Sequence, residues 1–382
     1  MAIAQPDSEN ETIDVSILIK TFNEESHIGA AIESALNAIA PPLKGEVIIA
    51  DSLSTDQTVE IAMSYPVAVV QLTKAEERCC GIGPQLGYQY SRGEFIYILD
   101  GDMELDPKFL LTAINLMREN IEIVGVAGIV EELGGDSYEF ISRKEAENAW
   151  AIAGNYKWLD MGGLYRRSAL ERIGYLSNRN LHACEEQELG LRLFTAGDKL
   201  LRLPMRSVRH HGREESSWDL MKKRLASHYS DGPGELLHAA FGKPYLWQVL
   251  NSHFKLLVMA MLWLATVAGV GMLYVSPWPA AVVTLLYGLL FLLMTMRKHS
   301  LKLAALGMLN WFMRTLGFIR GLLTPQTPPT RWIDSQVITW PGRSSIEFSD
   351  RGGKFFRPRS KWATYRGSIR EIGKARAKRT QI

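Results

Sequence analysis

The sequence contains little cysteine and has no apolar segment at its start. Only three of its 382 residues are cysteine, and two of these, Cys79 and Cys80, are adjacent, which does not suit a disulfide framework. Cys184 stands apart, and the spacing of the three does not resemble a zinc site. The three cysteines fit a reducing compartment. Met1 to Asp14 is polar and acidic, so we expect no secretory signal.

Charge is missing from two long stretches in the second half of the chain. Leu256 to Val275 and Ala280 to Met296 contain no charged residue, and Ser276-Pro277-Trp278-Pro279 separates them. The first stretch alone would also suit a buried core helix. Two such stretches in tandem favour a membrane hairpin, because about 20 apolar residues cross the hydrocarbon core of a bilayer.

The next apolar segment, Leu301 to Leu323, carries charges that are costly in the middle of a bilayer. Lys302, Arg314 and Arg320 therefore favour an interfacial amphipathic helix. Basic residues follow the second span, whereas the loop between the spans has none. The positive-inside tendency then places both the N-terminal domain and the tail in the cytoplasm, at an inner or plasma membrane. Basic and aromatic residues alternate from Arg351 to Arg379, and beside an anchor we expect them to bind membrane lipids rather than nucleic acid.

Before residue 240, short apolar runs alternate with amphipathic stretches in a chain of globular composition, with 47% hydrophobic and 22% charged residues. The apolar runs are Val15–Ile19, Glu46–Ala50, Val67–Leu72 and Glu94–Leu99, and helical patterns cover Ile28–Ile39 and begin at Thr58. This alternation predicts an α/β fold with a mostly parallel sheet, whose ligands bind beyond the carboxyl ends of the strands. Polar residues cluster at those ends, which is the first functional signal.

Three acidic groups have the composition of a catalytic site. Asp100-Gly101-Asp102 places two carboxylates around one turn, which suits a divalent cation bridging carboxylate and diphosphate, although an isolated motif of this kind is usually only a turn. Asp51 ends another strand and is placed to accept hydrogen bonds from a base or ribose, whereas Asp56 suits a helix cap. Glu185, Glu186 and Glu188 begin a helix, where they serve as dipole partners or supply a general base.

Together these segments resemble the family 2 glycosyltransferases in their order and spacing. The resemblance covers about residues 13 to 215, and it runs through residues 15–24, 51–58, 100–102, 162–167 and 185–192. It implies the GT-A fold, a Rossmann-like nucleotide-diphospho-sugar transferase architecture. It also implies a nucleotide-sugar donor, usually a UDP-sugar, and Mn²⁺ or Mg²⁺ as the cofactor.

The resemblance implies a role for each matching position. Residues expected to bind the nucleotide-sugar are Thr21, Asn23, Glu24, Asp51, Arg78, Asp100, Gly162 and Gly163. Among these, Asp51 would contact the base and Asp100 would face the ribose. Asp102 would ligate the metal, and His211 lies where some members place a histidine near the diphosphate or the metal; a surface histidine pair is the alternative.

The Glu-Asp pair of the family falls on Glu185-Glu186, so Glu186 is the candidate base and Glu185 its catalytic neighbour. Glu186 replaces the usual aspartate and is one methylene longer. Gly83-Pro84-Gln85-Leu86-Gly87 occupies a segment that often reads Ala-Arg-Asn-x-Gly, and Arg78 could replace its arginine. The Gln-x-x-Arg-Trp motif of processive synthases is absent; the nearest stretch is Lys222 to Leu225. We therefore expect a non-processive enzyme.

These observations predict five regions. They are a polar lead at 1–12, a GT-A catalytic domain at 13–240, a transmembrane hairpin at 241–300, an interfacial helix at 301–323 and a basic cytoplasmic tail at 324–382. The expected function is inverting transfer of a sugar to a hydroxyl of a lipid-linked or membrane-associated acceptor in polysaccharide or cell-envelope glycan synthesis. Direct transfer to a polyprenyl phosphate and an inactive, membrane-bound nucleotide-sugar sensor are the alternatives.

Overall fold

A sheet of ten strands runs through the described residues of this computed structural model, which are 12–133, 154–212 and 217–341. The strands are β1 (Val15–Thr21), β2 (Gly45–Asp51), β3 (Ala68–Leu72), β4 (Phe95–Asp100), β5 (Met103–Leu105), β6 (Ile123–Leu133), β7 (Gly154–Tyr156), β8 (Gly163–Arg166), β9 (Lys199–His211) and β10 (Ser335–Thr339). Their order is β10-β3-β2-β1-β4-β8-β6-β9-β5, and β7 pairs with β9. The basic run from Arg351 to Arg379 and the polar lead up to residue 11 lie outside the described residues.

Four parallel strands, β3-β2-β1-β4, form the part of the sheet that the sequence predicts. Thr21 pairs with Asp51, and Lys20 pairs with Asp100, so the carboxyl ends of β1, β2 and β4 meet at one edge. Beyond β4 the sheet is mixed, because β8 runs antiparallel to both β4 and β6. The α/β fold is confirmed, with these four strands as one parallel part and β6 and β9 as a second parallel pair.

Twelve helices of the described residues surround or extend the sheet. They are α1 (Ile28–Ala38), α2 (Thr58–Ala62), α3 (Ile82–Tyr90), α4 (Pro107–Glu119), α5 (Arg167–Ile173), α6 (Glu185–Thr195), α7 (Ser217–Ala226), α8 (Gly232–Ala240), α9 (Leu246–Ser252), α10 (Phe254–Gly271), α11 (Trp278–Lys298) and α12 (Leu301–Leu323). In α1 the buried residues Ile28, Ala31, Ile32 and Ala35 recur every three or four positions, as one face of a helix requires. This face packs into the core formed by the apolar residues of β1, β2 and β4.

Helices α10 and α11 cover the two uncharged stretches and are long and apolar enough to cross a membrane. Their most apolar windows have mean hydropathies of 1.9 and 2.0, and only 17% and 6% of these windows are buried inside the protein. A core helix of a soluble domain would be mostly buried, so their exposure favours lipid as the surrounding medium. Length, composition and exposure therefore agree with a hairpin.

Helix α12 has the bounds predicted for an interfacial helix, but its C-terminal half packs on the catalytic domain. Gly317 and Gly321 lie directly against the backbone carbonyls of Ser230 and Asp231, where a Cβ atom would not fit. Arg320 donates to both carboxylate oxygens of Asp231, at 2.6 and 2.7 Å. The charge of Arg320 is therefore balanced by Asp231 of the same chain rather than by a lipid headgroup.

After α12 the chain returns to the sheet. The sequence instead predicts a cytoplasmic tail for residues 324–341. Strand β10 pairs antiparallel with β3 and closes that edge of the sheet. Before it, Arg179 donates to the backbone carbonyls of Arg331 and Trp332 at 3.0 and 3.1 Å. The catalytic domain therefore does not end near residue 240, because the segment after the hairpin completes it.

Candidate active site

The lysine that ends the apolar run of β1 lies between two of the predicted acidic groups. Lys20 Nζ is 3.1 Å from Asp100 Oδ1 and 3.2 Å from Glu185 Oε1. Burial opposes the charged ammonium, but the two carboxylates outweigh it and raise the pKa of Lys20 well above its ordinary value. Lys20 thus brings the end of β4 and the start of α6 together at the carboxyl edge of the sheet.

The candidate base, Glu186, is held by the loop that precedes β8. Its carboxylate accepts the backbone N–H of Met161 at 2.9 Å and that of Gly162 at 2.6 Å. Met161, Gly162 and Gly163 all have positive φ, at 63°, 86° and 152°, and a Cβ on Gly162 would lie 2.5 Å from the carbonyl oxygen of Ile98. Glycine at 162 is thus required by both its conformation and its packing.

Burial raises the pKa of Glu186 to about 8, against the opposing effect of Lys20. The neighbouring carboxylates Glu185, Asp160 and Asp100 act in the same direction as burial. A carboxylate with a pKa near the working pH is a stronger base than an ordinary glutamate. The environment of Glu186 is therefore of the kind found at functional carboxylates.

The third glutamate of the cluster has a structural environment. Glu188 is fully buried, and both of its oxygens accept from Arg192 Nε at 2.9 Å. Tyr175 and Tyr245 also donate to it, at 2.7 and 3.1 Å. Its lone pairs are thus used within the protein, which leaves Glu185 and Glu186 as the glutamates that face the site.

Asp102, the expected metal ligand, lies beside a histidine of β9. His210 Nε2 is 3.6 Å from Asp102 Oδ2, and His210 Nδ1 is 2.7 Å from Glu132 Oε2. The ring of the expected His211 instead stacks on His27 and lies 2.7 Å from Glu104. Because neighbouring residues of a strand point to opposite faces, only one of the two rings is presented to Asp102.

The residues around Asp102 fit a divalent cation that is bound largely through its substrate. A carboxylate oxygen and an imidazole nitrogen are suitable donors for Mn²⁺, and a second carboxylate holds the far side of that imidazole, as is usual for metal-ligating histidine. Within the described residues, no group of three or more His, Cys, Asp and Glu side chains is arranged to hold a metal. Diphosphate oxygens would complete such a shell, as they do for Mg²⁺ in phosphate-transfer sites.

Protonation of His210 competes with metal binding at this position. Burial disfavours the imidazolium, but hydrogen bonds to Asp102 and Glu132 outweigh burial and raise the pKa of His210 to about 9. A metal bound through His210 would therefore have to displace a proton from the imidazolium.

The expected base-binding aspartate, Asp51, is fully buried and already paired. Ser54 donates to it through its hydroxyl at 2.5 Å and its backbone N–H at 3.0 Å, and Gln71 donates through its amide at 2.8 Å. Asn23 joins the same loop, since its side chain accepts from the backbone of Thr55 at 2.8 Å. These contacts shape the loop after β2, and direct contact of Asp51 with a base stays a prediction.

Arg78 lies against the loop after β2, and Thr21 lies against the Asp100-Gly101-Asp102 turn. The Arg78 guanidinium lies 3.9 Å from the centre of the Phe22 ring and donates to the carbonyls of Ser52 and Leu53. The hydroxyl of Thr21 is buried and has no hydrogen-bond partner among the described residues. A buried hydroxyl without a partner beneath the Asp100-Gly101-Asp102 turn is consistent with a ligand that completes the site.

The structure brings most of the predicted site residues to one edge of the sheet. Glu24 is buried there, and its backbone N–H donates to Thr58 at 2.8 Å.

Two residues near the site differ from those named from the sequence. Lys20 was not named, and His211 was named beside the metal, whereas the structure brings the ring of His210 to Asp102. Lys20 could have been found from its place at the end of an apolar, buried strand, because a charge in such a place requires partners. No sequence signal distinguished the two histidines.

Comparison with known proteins identifies relatives of one kind. Dodecaprenyl-phosphate galacturonate synthase of Rhizobium johnstonii is 27% identical over 30% of this chain and 36% of its own length. Putative glycosyltransferase EpsH of Bacillus subtilis is 25% identical over 53% of this chain and 62% of its own length. A dolichyl N-acetyl-alpha-D-glucosaminyl phosphate 3-beta-D-2,3-diacetamido-2,3-dideoxy-beta-D-glucuronosyltransferase of Methanococcus voltae is 23% identical over 50% and 64%. The matches thus span less than two thirds of each relative.

Solved structures show the same fold. Mannosyltransferase PcManGT from Pyrobaculum calidifontis, in complex with GDP-Man and Mn²⁺, has a TM-score of 0.51 at 16% identity, over 81% of this chain and 88% of that one. This likeness concerns the fold alone, and it agrees with the GT-A architecture expected from the sequence. The family model of Glycosyl transferase family 2 matches residues 16–174. That segment of the chain is therefore a glycosyl transferase family 2 domain.

Proposed function

We propose that the chain is an inverting, non-processive glycosyltransferase that moves a sugar from a UDP-sugar to a hydroxyl of a lipid-linked acceptor. One observation carries the proposal. The acidic turn that suits a diphosphate, at Asp100 and Asp102, lies next to the glutamates that suit proton abstraction, and Lys20 contacts a carboxylate from each group. Donor and acceptor chemistry thus have the required residues at one edge of the sheet.

The proposed reaction is displacement at the anomeric carbon with inversion. Glu186 takes the proton of the acceptor hydroxyl as its oxygen forms the new glycosidic bond and the bond to the nucleoside diphosphate breaks. The backbone N–H groups of Met161 and Gly162 fix the orientation of that carboxylate. Asp102, with His210, would hold Mn²⁺ or Mg²⁺, which supplies Lewis-acid stabilisation of the charge on the departing diphosphate.

The membrane-proximal helices support an acceptor at a membrane surface. Helix α12 packs on α8, and β10 completes the catalytic sheet, so the chain on both sides of α10 and α11 belongs to the same folded unit. If these helices span, they must cross twice and return to the side of the catalytic domain. Arg297 and Lys298 at the end of α11 favour the cytoplasm as that side.

The names of two relatives agree with an acceptor of this class. One is a dodecaprenyl-phosphate galacturonate synthase and another acts on a dolichyl-linked sugar phosphate, and both are similar to this chain over part of its length. Cell-envelope glycan or polysaccharide assembly is the proposed pathway. The first name also supports the second candidate, direct transfer to a polyprenyl phosphate.

An assay of the detergent-solubilised protein with radiolabelled UDP-sugars and membrane lipid extract tests the proposal. We expect a metal-dependent, lipid-soluble product with one of the sugars. Mild acid, which cleaves polyprenyl phosphate linkages, should release an oligosaccharide that carries the label. Release of the labelled monosaccharide would favour transfer to the phosphate, and donor binding without any product would favour the inactive sensor.

A further inference from the structure

The Lys20 ammonium is a buried cation within a group of acidic side chains from several elements. Its side chain is 18% exposed, and its Nζ atom contacts Asp100 from β4 and Glu185 from α6. The lysine stem is confined by α3, since a Cβ atom added to Gly83 would lie 2.9 Å from Lys20 Cβ. Packing against α3 therefore confines the start of the Lys20 side chain, and the two carboxylates hold its end.

The contacts of Lys20 determine which glutamate is available for proton abstraction. Neighbouring residues of a helix project about 100° apart, so Glu185 and Glu186 cannot share one direction. Lys20 binds the carboxylate of Glu185, and the N–H groups of Met161 and Gly162 bind that of Glu186. Without the Lys20 ammonium, the carboxylates of Glu185 and Asp100 would face each other with no positive charge between them, and two negative charges so close repel.

We propose that Lys20 is a positioning residue of the sugar transfer, which holds Glu185 against Asp100 and favours the ionised form of the base, Glu186. The inference rests on the proposed function, because orientation of a base has meaning only in a transfer reaction. The direct contacts of Lys20 are with Asp100 and Glu185. It acts through the two glutamates at the start of α6.

The charges that face Glu186 give this inference a measurable consequence. They are Lys20 from β1, Asp100 from β4, Asp160 from the loop before β8 and Glu185 from its own helix, and the Tyr165 hydroxyl of β8 is also near. Burial and the three carboxylates raise the pKa of Glu186, and Lys20 is the group that lowers it. Removal of Lys20 must therefore move the ionisation of Glu186 to higher pH.

The test compares Lys20→Met, Lys20→Arg and the control Lys199→Met by pH profiles of kcat/KM in the transfer assay. Lys199 is an exposed lysine that pairs with Glu122 at 3.4 Å, away from the site. We expect Lys20→Met to move the acid limb of the kcat/KM profile, where activity rises as the base loses its proton, to higher pH by about one pH unit. This is the lower end of the shift that a neighbouring charge produces. At pH 7 its kcat/KM should fall roughly tenfold, because about tenfold less base is ionised. Lys20→Arg and Lys199→Met should retain the wild-type limb.

A second variant keeps the test decisive if Lys20→Met does not fold. Lys20→Met combined with Glu185→Gln removes one positive and one negative charge together, so the limb should return toward its wild-type position. A folded Lys20→Met variant with an unshifted limb and unchanged kcat/KM at pH 7 would overturn the inference, and so would a double variant whose limb coincides with that of Glu185→Gln alone. Absence of transfer by the wild type would instead count against the proposed function.

Discussion

The change of Glu186 to glutamine tests the base assignment, and the structure predicts two separate effects. The carboxylate of Glu186 accepts N–H groups from both Met161 and Gly162. A glutamine oxygen can accept only one of them well, and its NH₂ group would face the other donor. Glutamine therefore removes the base and also one hydrogen bond of the loop before β8.

The two effects differ in size and are measured separately. Loss of an oriented general base lowers turnover by about 10²- to 10⁴-fold, which corresponds to roughly 3 to 5 kcal/mol of transition-state stabilisation. At pH 7 most Glu186 is protonated, because its pKa is raised to about 8, so the lost hydrogen bond is one to a largely neutral group and costs about 0.5 to 1.5 kcal/mol of folding stability. We therefore expect Glu186→Gln to fold with a lower melting temperature and to lose nearly all transfer while still binding the donor.

Single-turnover transfer, UDP-sugar binding by calorimetry and thermal unfolding separate these effects. Glu188→Gln is the matched control, because Glu188 is buried against Arg192 and faces away from the site. It should lower stability and leave the turnover of the folded protein close to that of the wild type. Near-normal turnover of Glu186→Gln would refute the assignment, and if Glu185→Gln alone were inactive, the base would be the preceding residue.

Three further predictions follow from the same geometry. Asp102→Ala should abolish transfer and weaken Mn²⁺-dependent donor binding in calorimetry without unfolding the protein; turnover unaffected by a chelator in the wild type would contradict this. Because burial raises the pKa of Glu186 to about 8 and the base must be ionised, kcat/KM should rise with pH and level off above about 8, and a flat profile from pH 6 to 9 would exclude Glu186. In intact cells, an impermeant maleimide should label Trp278→Cys but not Gln326→Cys; labelling of Gln326→Cys would place the catalytic domain, which packs on this segment, outside the cytoplasm.

The sequence predicts the parts of the fold that depend on local pattern. The apolar runs of β1 to β4 and the uncharged stretches of α10 and α11 are visible because neighbouring residues share one environment. The return of β10 to the edge of β3 is not visible, because that pairing joins residues far apart in the sequence, such as Gln336 and Gln71, which are 265 positions apart. A short polar strand without its partner has no distinguishing pattern.

The candidate site was predictable as a set of acidic residues but not as an arrangement. Spacing located these residues at the ends of elements: Asp100 ends β4, Asp102 directly precedes β5, and Glu186 is the second residue of α6. The contact of Lys20 with Glu185 spans 165 positions of sequence and depends on how α6 docks against β1. The presentation of His210 rather than His211 depends on which face of β9 meets the Asp102 turn.

The most direct test of the central claim is inverting, base-dependent sugar transfer measured on the purified full chain. The labelled product formed with Mn²⁺ from the accepted UDP-sugar should have the opposite anomeric configuration to the donor, by NMR of the released glycan. The same reaction with Glu186→Gln should give no product although the donor still binds. Product with retained configuration, or undiminished product from Glu186→Gln, would contradict the account.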